Sequence, residues 1–292
     1  MSSQIISPNR GIGLMILAIV LFTTMDATAK HLIATYPAPL VIWARFAGML
    51  VLVLLILNRR LPRMARTRFP VLHFWRSASQ FGATGLFFLS LGYIGLAEAT
   101  AIVDINPVLV TLGAAIFLGE KFGPRRAAGV LAALIGAMII IRPGSDVFSL
   151  AALLPLGAAI CYSANVLLTR FLGQKESVWT AMLYASLFGT IAGAAALPWV
   201  WQPIATADLP WFVLVGLLGT AAQLCIIRAF SITEASVLAP FGYLGLIFSA
   251  FWGIVLFGQY PDRWTVLGAL VIVAAGLYVW HRETKIAKAG RG

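Results

Sequence analysis

Long apolar runs alternate with short polar breaks along almost the whole chain. With Pro, Gly and charged positions as boundaries, ten apolar segments emerge: 11–33, 38–58, 69–93, 98–118, 124–141, 148–170, 178–200, 208–230, 235–257 and 262–281. A helix needs roughly 20 mostly apolar residues to cross a hydrocarbon core, and each segment is near that length. Most connections are short. The longest runs from Arg59 to Arg68, which leaves no room for a soluble domain. The pattern predicts an all-α polytopic membrane protein with ten transmembrane helices.

The pattern also repeats. Leu96-Ala97-Glu98-Ala99-Thr100-Ala101 matches Ile232-Thr233-Glu234-Ala235-Ser236-Val237. Phe117-Leu118-Gly119-Glu120 matches Leu256-Phe257-Gly258-Gln259, and Ala128-Gly129 matches Leu267-Gly268. The offset is 136 at first and 139 further on. The segments therefore divide into two five-helix repeats, 11–142 and 148–282, followed by a tail at 283–292. An odd number of crossings makes the second copy enter from the opposite side, an inverted-topology repeat. Such repeats are common in secondary transporters, with the substrate site near the midplane between the halves.

Composition sharpens this reading. Of 292 residues, 61% are apolar and 11% charged, against roughly 45–50% and 25% in soluble domains. The mean hydropathy is +0.93. A soluble enzyme, a disordered chain and a secreted disulfide scaffold are excluded. Cys161 and Cys225 lie in apolar runs and read as free buried thiols. No Cys/His cluster has metal-ligand spacing. Ala27-Thr28-Ala29 looks like a cleavage site. The stretch before it is too long, Asp26 interrupts it, and its basic flank is only Arg10, so it reads as a first crossing.

The net charge of +11 is explained by topology. With the N-terminus cytoplasmic, 16 of the 21 bases fall on the cytoplasmic side and only Arg142 and Arg263 outside. Such asymmetry fixes orientation with both termini inside. The bases then face anionic membrane lipid, and no nucleic acid is implied. No phosphate-binding Gly-Lys-Ser/Thr loop exists, so neither ATP drive nor a cofactor is implied. His31, His73 and His281 lie near segment ends and form no catalytic set.

Ionisable groups inside a membrane are expensive and mark function by default. Asp26 lies about 22 Å beyond the start of its segment, on a rise of about 1.5 Å per residue. Lys30 is one turn further on the same face. Arg45 and Asp104 lie six or seven residues into segments that start outside. All four fall in the outer third, and their formal charges cancel. Their counterparts in the second copy are Asn165, Thr169, Ala181 and Pro240, so the inner region is expected to be nearly neutral. The four charges read as an outer gate or substrate contact, as a static ion-pair network, or as a proton-coupling site through Asp26 or Asp104. Arg76 is expected to snorkel to headgroups, Arg228 likewise or paired with Glu234. Glu98 reads as a helix N-terminal charge, and Glu120 with Lys121 as a loop pair. Pro107 and Pro240 break their segments at matching depths, freeing backbone groups where a wet cavity tolerates them. With Asp104, Asn106 and Tyr243 nearby, these two segments are expected to line a cavity. Trp43, Phe46, Phe81, Tyr162, Tyr184 and Phe241 are candidate flat walls. The recurrent glycines read as packing positions.

Several of these stretches together resemble the EamA family of the drug/metabolite transporter superfamily. They are Phe22-Thr23-Thr24-Met25-Asp26-Ala27 with Lys30, Trp43-Ala44-Arg45-Phe46, and His73-Phe74-Trp75-Arg76. Ala99-Thr100-Ala101-Ile102, Asn106-Pro107, Leu118-Gly119-Glu120 and Arg142-Pro143-Gly144 follow, then Ala235 to Phe241 and Phe257-Gly258. The resemblance spans about residues 11–282. The second copy has Gln259 where the family often has Glu. The resemblance implies a secondary transporter in the bacterial inner membrane, moving a small polar or zwitterionic organic molecule by alternating access. Riboflavin, S-adenosylmethionine and amino acids are the candidates it suggests. A membrane-embedded enzyme acting on lipid is the rival class, but the charges lie deep with no nucleophile. A channel is the third, and it would need pore rings repeated by subunits. A homodimer is left open.

Overall fold

The computed structural model describes residues 8–117, 124–142, 150–172, 176–233 and 235–289. Among these residues every regular element is helical. The first half holds α1 (Pro8–Ile33), α2 (Ala38–Leu57), the short α3 (Leu61–Met64), α4 (Pro70–Leu91), α5 (Leu96–Val103), α6 (Asn106–Phe117) and α7 (Pro124–Ile141). The second holds α8 (Leu153–Leu172), α9 (Val178–Val200), α10 (Leu209–Ile232), α11 (Ala235–Leu238), α12 (Leu244–Phe257) and α13 (Arg263–Ala289). Leu118, Gly119, Glu120, Lys121, Pro143, Gly144 and Glu234, each named above, lie outside the described residues.

Six helical stretches are long and apolar enough to cross a membrane: Asn9–Ile33, Ala38–Met64, Leu96–Phe117, Leu150–Thr169, Val178–Val200 and Leu209–Phe230. Ala127–Ile141, Phe241–Phe257 and Arg263–Tyr278 are shorter apolar helices. The chain is a multi-pass membrane protein. The exception is α4, which carries His73, Arg76, Ser77 and Gln80 along one 22-residue helix. α13 continues to Ala289 instead of ending before a separate tail. Its last turns are rich in Arg, Glu, Lys and Ala, which are good helix formers.

Two expected breaks are present. α5 ends at Val103, a turn at Asp104–Ile105 follows, and α6 restarts with Pro107 in its first turn. Proline is tolerated there because the first turn leaves its N–H groups unpaired anyway. α11 passes into a 3₁₀ turn, Ala239–Tyr243, before α12.

Helices of the two halves pair across the molecule. α1 packs on α10, α2 on α9, α4 on α8 and α7 on α13. Side-chain contacts show the direction of each pair. Trp43 and Phe46 lie against Gly193 and Gly189, while Val53 and Leu57 cluster with Met182 and Leu183. α2 and α9 are therefore antiparallel. Gly136 faces Ile272 and Gly268 faces Ile140, so α7 and α13 are antiparallel too. The close approaches are made by glycines. At Gly48, a Cβ would stand 2.9 Å from the Gly216 Cα. Small residues at such crossings let backbones touch and gain dispersion contacts that lipid cannot match.

Candidate functional site

The polar side chains gather in three places. The first is a narrow crevice, lined by Arg45, Phe46 and Met49 of α2, Arg76 and Gln80 of α4, Met182 and Ala185 of α9, and Gly219, Thr220 and Gln223 of α10. The packing of α2 explains how Arg45 enters it. Trp43 and Phe46 are drawn toward the small positions Gly193 and Gly189 of α9. That turns Arg45, between them in sequence, toward α4 and α10. Gly219 leaves room for it, since a Cβ there would meet Met25 Sδ at 2.7 Å and Arg45 Nε at 3.5 Å. The guanidinium donates to Thr84 Oγ1 and lies over the rings of Phe46 and Phe88, at 5.3 and 5.6 Å. Cation–π contact of this kind suits a guanidinium in an apolar wall. Asp26, on α1, interacts with Arg45 through space, but no ion pair within 4.0 Å joins them.

Arg76 does not snorkel. It is 7% exposed. Its Nε donates to Thr169 Oγ1 at 2.8 Å and its Nη1 to the Ala181 carbonyl at 3.1 Å. Asn165 Nδ2 donates to the Arg76 carbonyl at 2.9 Å. So the second-copy counterparts of Asp26, Lys30 and Arg45 all meet one buried arginine, and the region they form is cationic rather than nearly neutral. A guanidinium with acceptors in reach satisfies its donors inside the bundle better than by stretching to an interface.

Lys30 leaves the crevice altogether. Its Nζ donates to the carbonyls of Leu91 and Ile94, both at 2.7 Å. These lie at and just beyond the C-terminus of α4, where carbonyls lack helical partners and the dipole is negative. The Phe257 ring lies 5.7 Å from Nζ.

The second place is the break between α5 and α6. Asp104 Oδ2 and Asn106 Oδ1 are sealed and without hydrogen-bond partners. Asp104 interacts electrostatically with Tyr162 of α8 and with Tyr243 of the 3₁₀ turn. It is not joined to Asp26, Lys30 or Arg45 by any ion pair among the described residues. Pro107 is exposed, and Pro240 lies in the 3₁₀ turn. The four intramembrane charges thus split into an Asp26–Arg45 couple, a Lys30 brace and a separate Asp104 group.

The third place is the loops. Tyr36, between α1 and α2, donates to Asp208 Oδ2 at 2.7 Å and accepts from the Ala205 amide at 3.1 Å. Glu176, between α8 and α9, accepts from Thr67 Oγ1 at 2.8 Å and from the Arg68 amide at 3.2 Å. Each clasp joins a loop of one half to a loop of the other. Another polar pocket lies near Gly95 and Glu98, where Arg142 Nη2 stands 2.7 Å from Asp262 Oδ2. Among the described residues no His/Cys/Asp/Glu group could hold a metal, and Cys161 and Cys225 are free thiols.

A family model described as the EamA-like transporter family matches residues 9–142 and again 149–280. The chain belongs to the EamA-like transporter family. Its two matched segments are the two halves paired above. A riboflavin transporter of Rhizobium johnstonii is 34% identical over 75% of this chain and 73% of its own. The pseudopaline exporter of Pseudomonas aeruginosa is 28% identical over 91% and 94%. An S-adenosylmethionine uptake transporter of Rickettsia bellii is 24% identical over 94% of both. A solved crystal structure of a protein superposes with a TM-score of 0.65 at 18% identity, covering 94% of this chain and 97% of that one. That likeness concerns the fold. The relatives are transporters and exporters of small metabolites, and this EamA-like protein is a transporter rather than an enzyme.

Sequence reasoning missed Gln80, Thr84, Thr220 and Gln223. A signal was there. Arg76, Gln80 and Thr84 recur every four residues, which is one face of a helix, and continue to Phe88 under Arg45.

Proposed function

We propose that this chain is a secondary transporter that moves a small polar or zwitterionic organic metabolite across the bacterial inner membrane by alternating access. Ten crossings form two inverted five-helix repeats, 11–142 and 148–282, and both termini are cytoplasmic. The antiparallel course of α2 with α9 and of α7 with α13 supports the inversion, because these are equivalent helices of the two halves. The positive-inside count supports the orientation.

The observation that carries the reading is the position of the crevice. α2 and α4 of the first half and α9 and α10 of the second each supply part of its wall. A site at the seam between repeats is exposed to one side or the other as the halves rock. Asp26 and Arg45 sit beside and within it, with Phe46. Trp43 packs behind as support. Asn165 holds Arg76 from the other half. Asp104, Asn106, Pro107, Tyr162, Pro240 and Tyr243 form a second polar group at the two helix breaks, where broken backbone and unpartnered oxygens suit a coupling or relay role.

The test is counterflow in proteoliposomes with riboflavin, S-adenosylmethionine and the amino acids, since relatives carry the first two. Saturable uptake, stimulated by unlabelled solute inside and weakened in Gln80→Leu or Gln223→Leu, is expected. Uptake that rises linearly with every solute, or is unchanged by both substitutions, refutes the reading.

A further inference from the structure

The crevice is electrically lopsided. Its lining contains two arginines and no carboxylate. Asp26 stands close enough to interact with Arg45 but does not close an ion pair. One carboxylate against two guanidiniums leaves the site with an excess positive charge. An uncompensated cation in a water-poor interior is costly, and an arriving anion relieves it.

The two guanidiniums are also held ready. Thr84 and the Phe46 and Phe88 rings fix the plane of Arg45. Thr169 and the Ala181 carbonyl fix Arg76. A guanidinium carries five N–H donors and stays protonated. The protein bonds use one of these on Arg45 and two on Arg76, and the remaining donors are not among the sealed, unpartnered atoms. Fork-shaped donors match the two oxygens of a carboxylate. The rest of the wall is neutral. Gln80, Gln223 and Thr220 offer hydrogen bonds, and Met49 and Met182 offer soft apolar surface.

We propose that this crevice is an anion site and that its ligand is a small organic carboxylate. Arg45 and Arg76 engage the carboxylate, and Gln80, Gln223, Met49 and Met182 contact the uncharged body. That the ligand is also cargo rests on the transporter reading; the anion site does not. Amino acids and S-adenosylmethionine carry such a group, and riboflavin does not.

Paired probes test this in the full-length protein in nanodiscs. Nicotinate is compared with nicotinamide, benzoate with benzamide, and tryptophan with tryptophanamide, each titrated by thermal stabilisation at neutral pH. In at least one pair the carboxylate is expected to bind about tenfold or more tightly than its amide, the worth of one charge-assisted bond. Arg45→Gln and Arg76→Gln should each erase that advantage, and Arg45→Lys should restore part of it. Equal binding of acid and amide in every pair overturns the proposal, and so does an absence of binding by all six. Arg76 also braces α8 and α9, so if Arg76→Gln does not fold, the wild-type pairs and the Arg45 variants decide. Counterflow on the same preparation separates the two readings. Saturable flux of any solute with no carboxylate preference leaves the transporter and removes the anion site. Carboxylate binding without flux of any solute does the reverse.

Discussion

Replacing Lys30 by methionine separates a structural brace from a substrate contact. The side chain is 8% exposed, and its ammonium donates two bonds of 2.7 Å to Leu91 and Ile94 carbonyls. Methionine keeps the length and apolar stem but removes all three donors. Two charge-assisted bonds are worth about 1.5–3 kcal/mol each. Part of that is recovered, because a buried cation disappears and the carbonyls lie beside an exposed turn at Gly92–Tyr93, where water can replace the lysine. A net loss of about 2 kcal/mol remains. At about 2–4 °C per kcal/mol for a protein of this size class, melting should fall by about 4–8 °C. Tryptophan fluorescence in detergent reads the melting, and counterflow reads KM. Lys30→Met should melt earlier and show a KM within about twofold of the parent. Unchanged melting with a KM raised tenfold would refute the brace and return Lys30 to the substrate path.

Gly48→Ala should destabilise, because its Cβ would lie 2.9 Å from the Gly216 Cα. Overpacking of this kind costs about 1–3 kcal/mol, and an unaltered melting temperature counts against the helix crossing. Tyr36→Phe and Glu176→Gln each weaken one loop clasp. With Thr220→Cys as reporter in a chain lacking Cys161 and Cys225, they should shift labelling by impermeant thiol reagents toward opposite faces. A bond of about 1 kcal/mol corresponds to about fivefold, and a shift in the same direction for both contradicts the clasps. Burial tends to raise the Asp262 carboxyl, but hydrogen bonds from Thr265 and the Arg142 guanidinium prevail and hold it below its ordinary 3.8. A depressed folded value stabilises above the ordinary carboxylate range and is lost as pH falls through the depressed one. The melting difference between wild type and Asp262→Asn should therefore be full at neutral pH and shrink below about pH 4. A difference that does not change with pH would show that the charge is irrelevant.

Apolar runs made the helices legible because burial in lipid sets them without a tertiary partner, and repeat matching made the halves legible because the two copies still share local sequence. Proline and its neighbours marked the breaks before Pro107 and around Pro240 for the same local reason. Partner choice was not legible. Depth along a segment placed Lys30 beside Asp26, yet the orphan carbonyls of α4 compete for the ammonium, and α4 is distant in sequence. Arg76 looked like a headgroup contact because position near a segment end says nothing of acceptors on α8 and α9. The Arg76–Gln80–Thr84 face was readable from spacing of four, but only its two ends are tied to partners that reveal what it faces.

The clasps and the crevice obey different symmetry, and the proposed alternating-access cycle accounts for both. Exchanging the halves turns the α1–α2 loop into the α8–α9 loop, and the α9–α10 loop into the α2–α4 loop. It therefore turns the Tyr36 clasp into the Glu176 clasp. Each holds two hydrogen bonds, of 2.7 and 3.1 Å in one and 2.8 and 3.2 Å in the other, although the residues differ. The Glu176 carboxylate also has His73 Nε2 at 3.8 Å, so the two clasps are comparable rather than identical, and in the proposed cycle breaking one is largely offset by forming the other. The crevice has no such duty. A single solute molecule lacks a two-fold axis, so the halves need not offer it the same groups. Both arginines come from the first half, while the second supplies Thr220, Gln223 and Met182. The position equivalent to Arg45 is Ala181, whose backbone carbonyl accepts from Arg76. On the proposed reading, the copies diverge in the crevice, where a solute imposes no symmetry, and keep comparable bonds at the loops, which the cycle uses in turn.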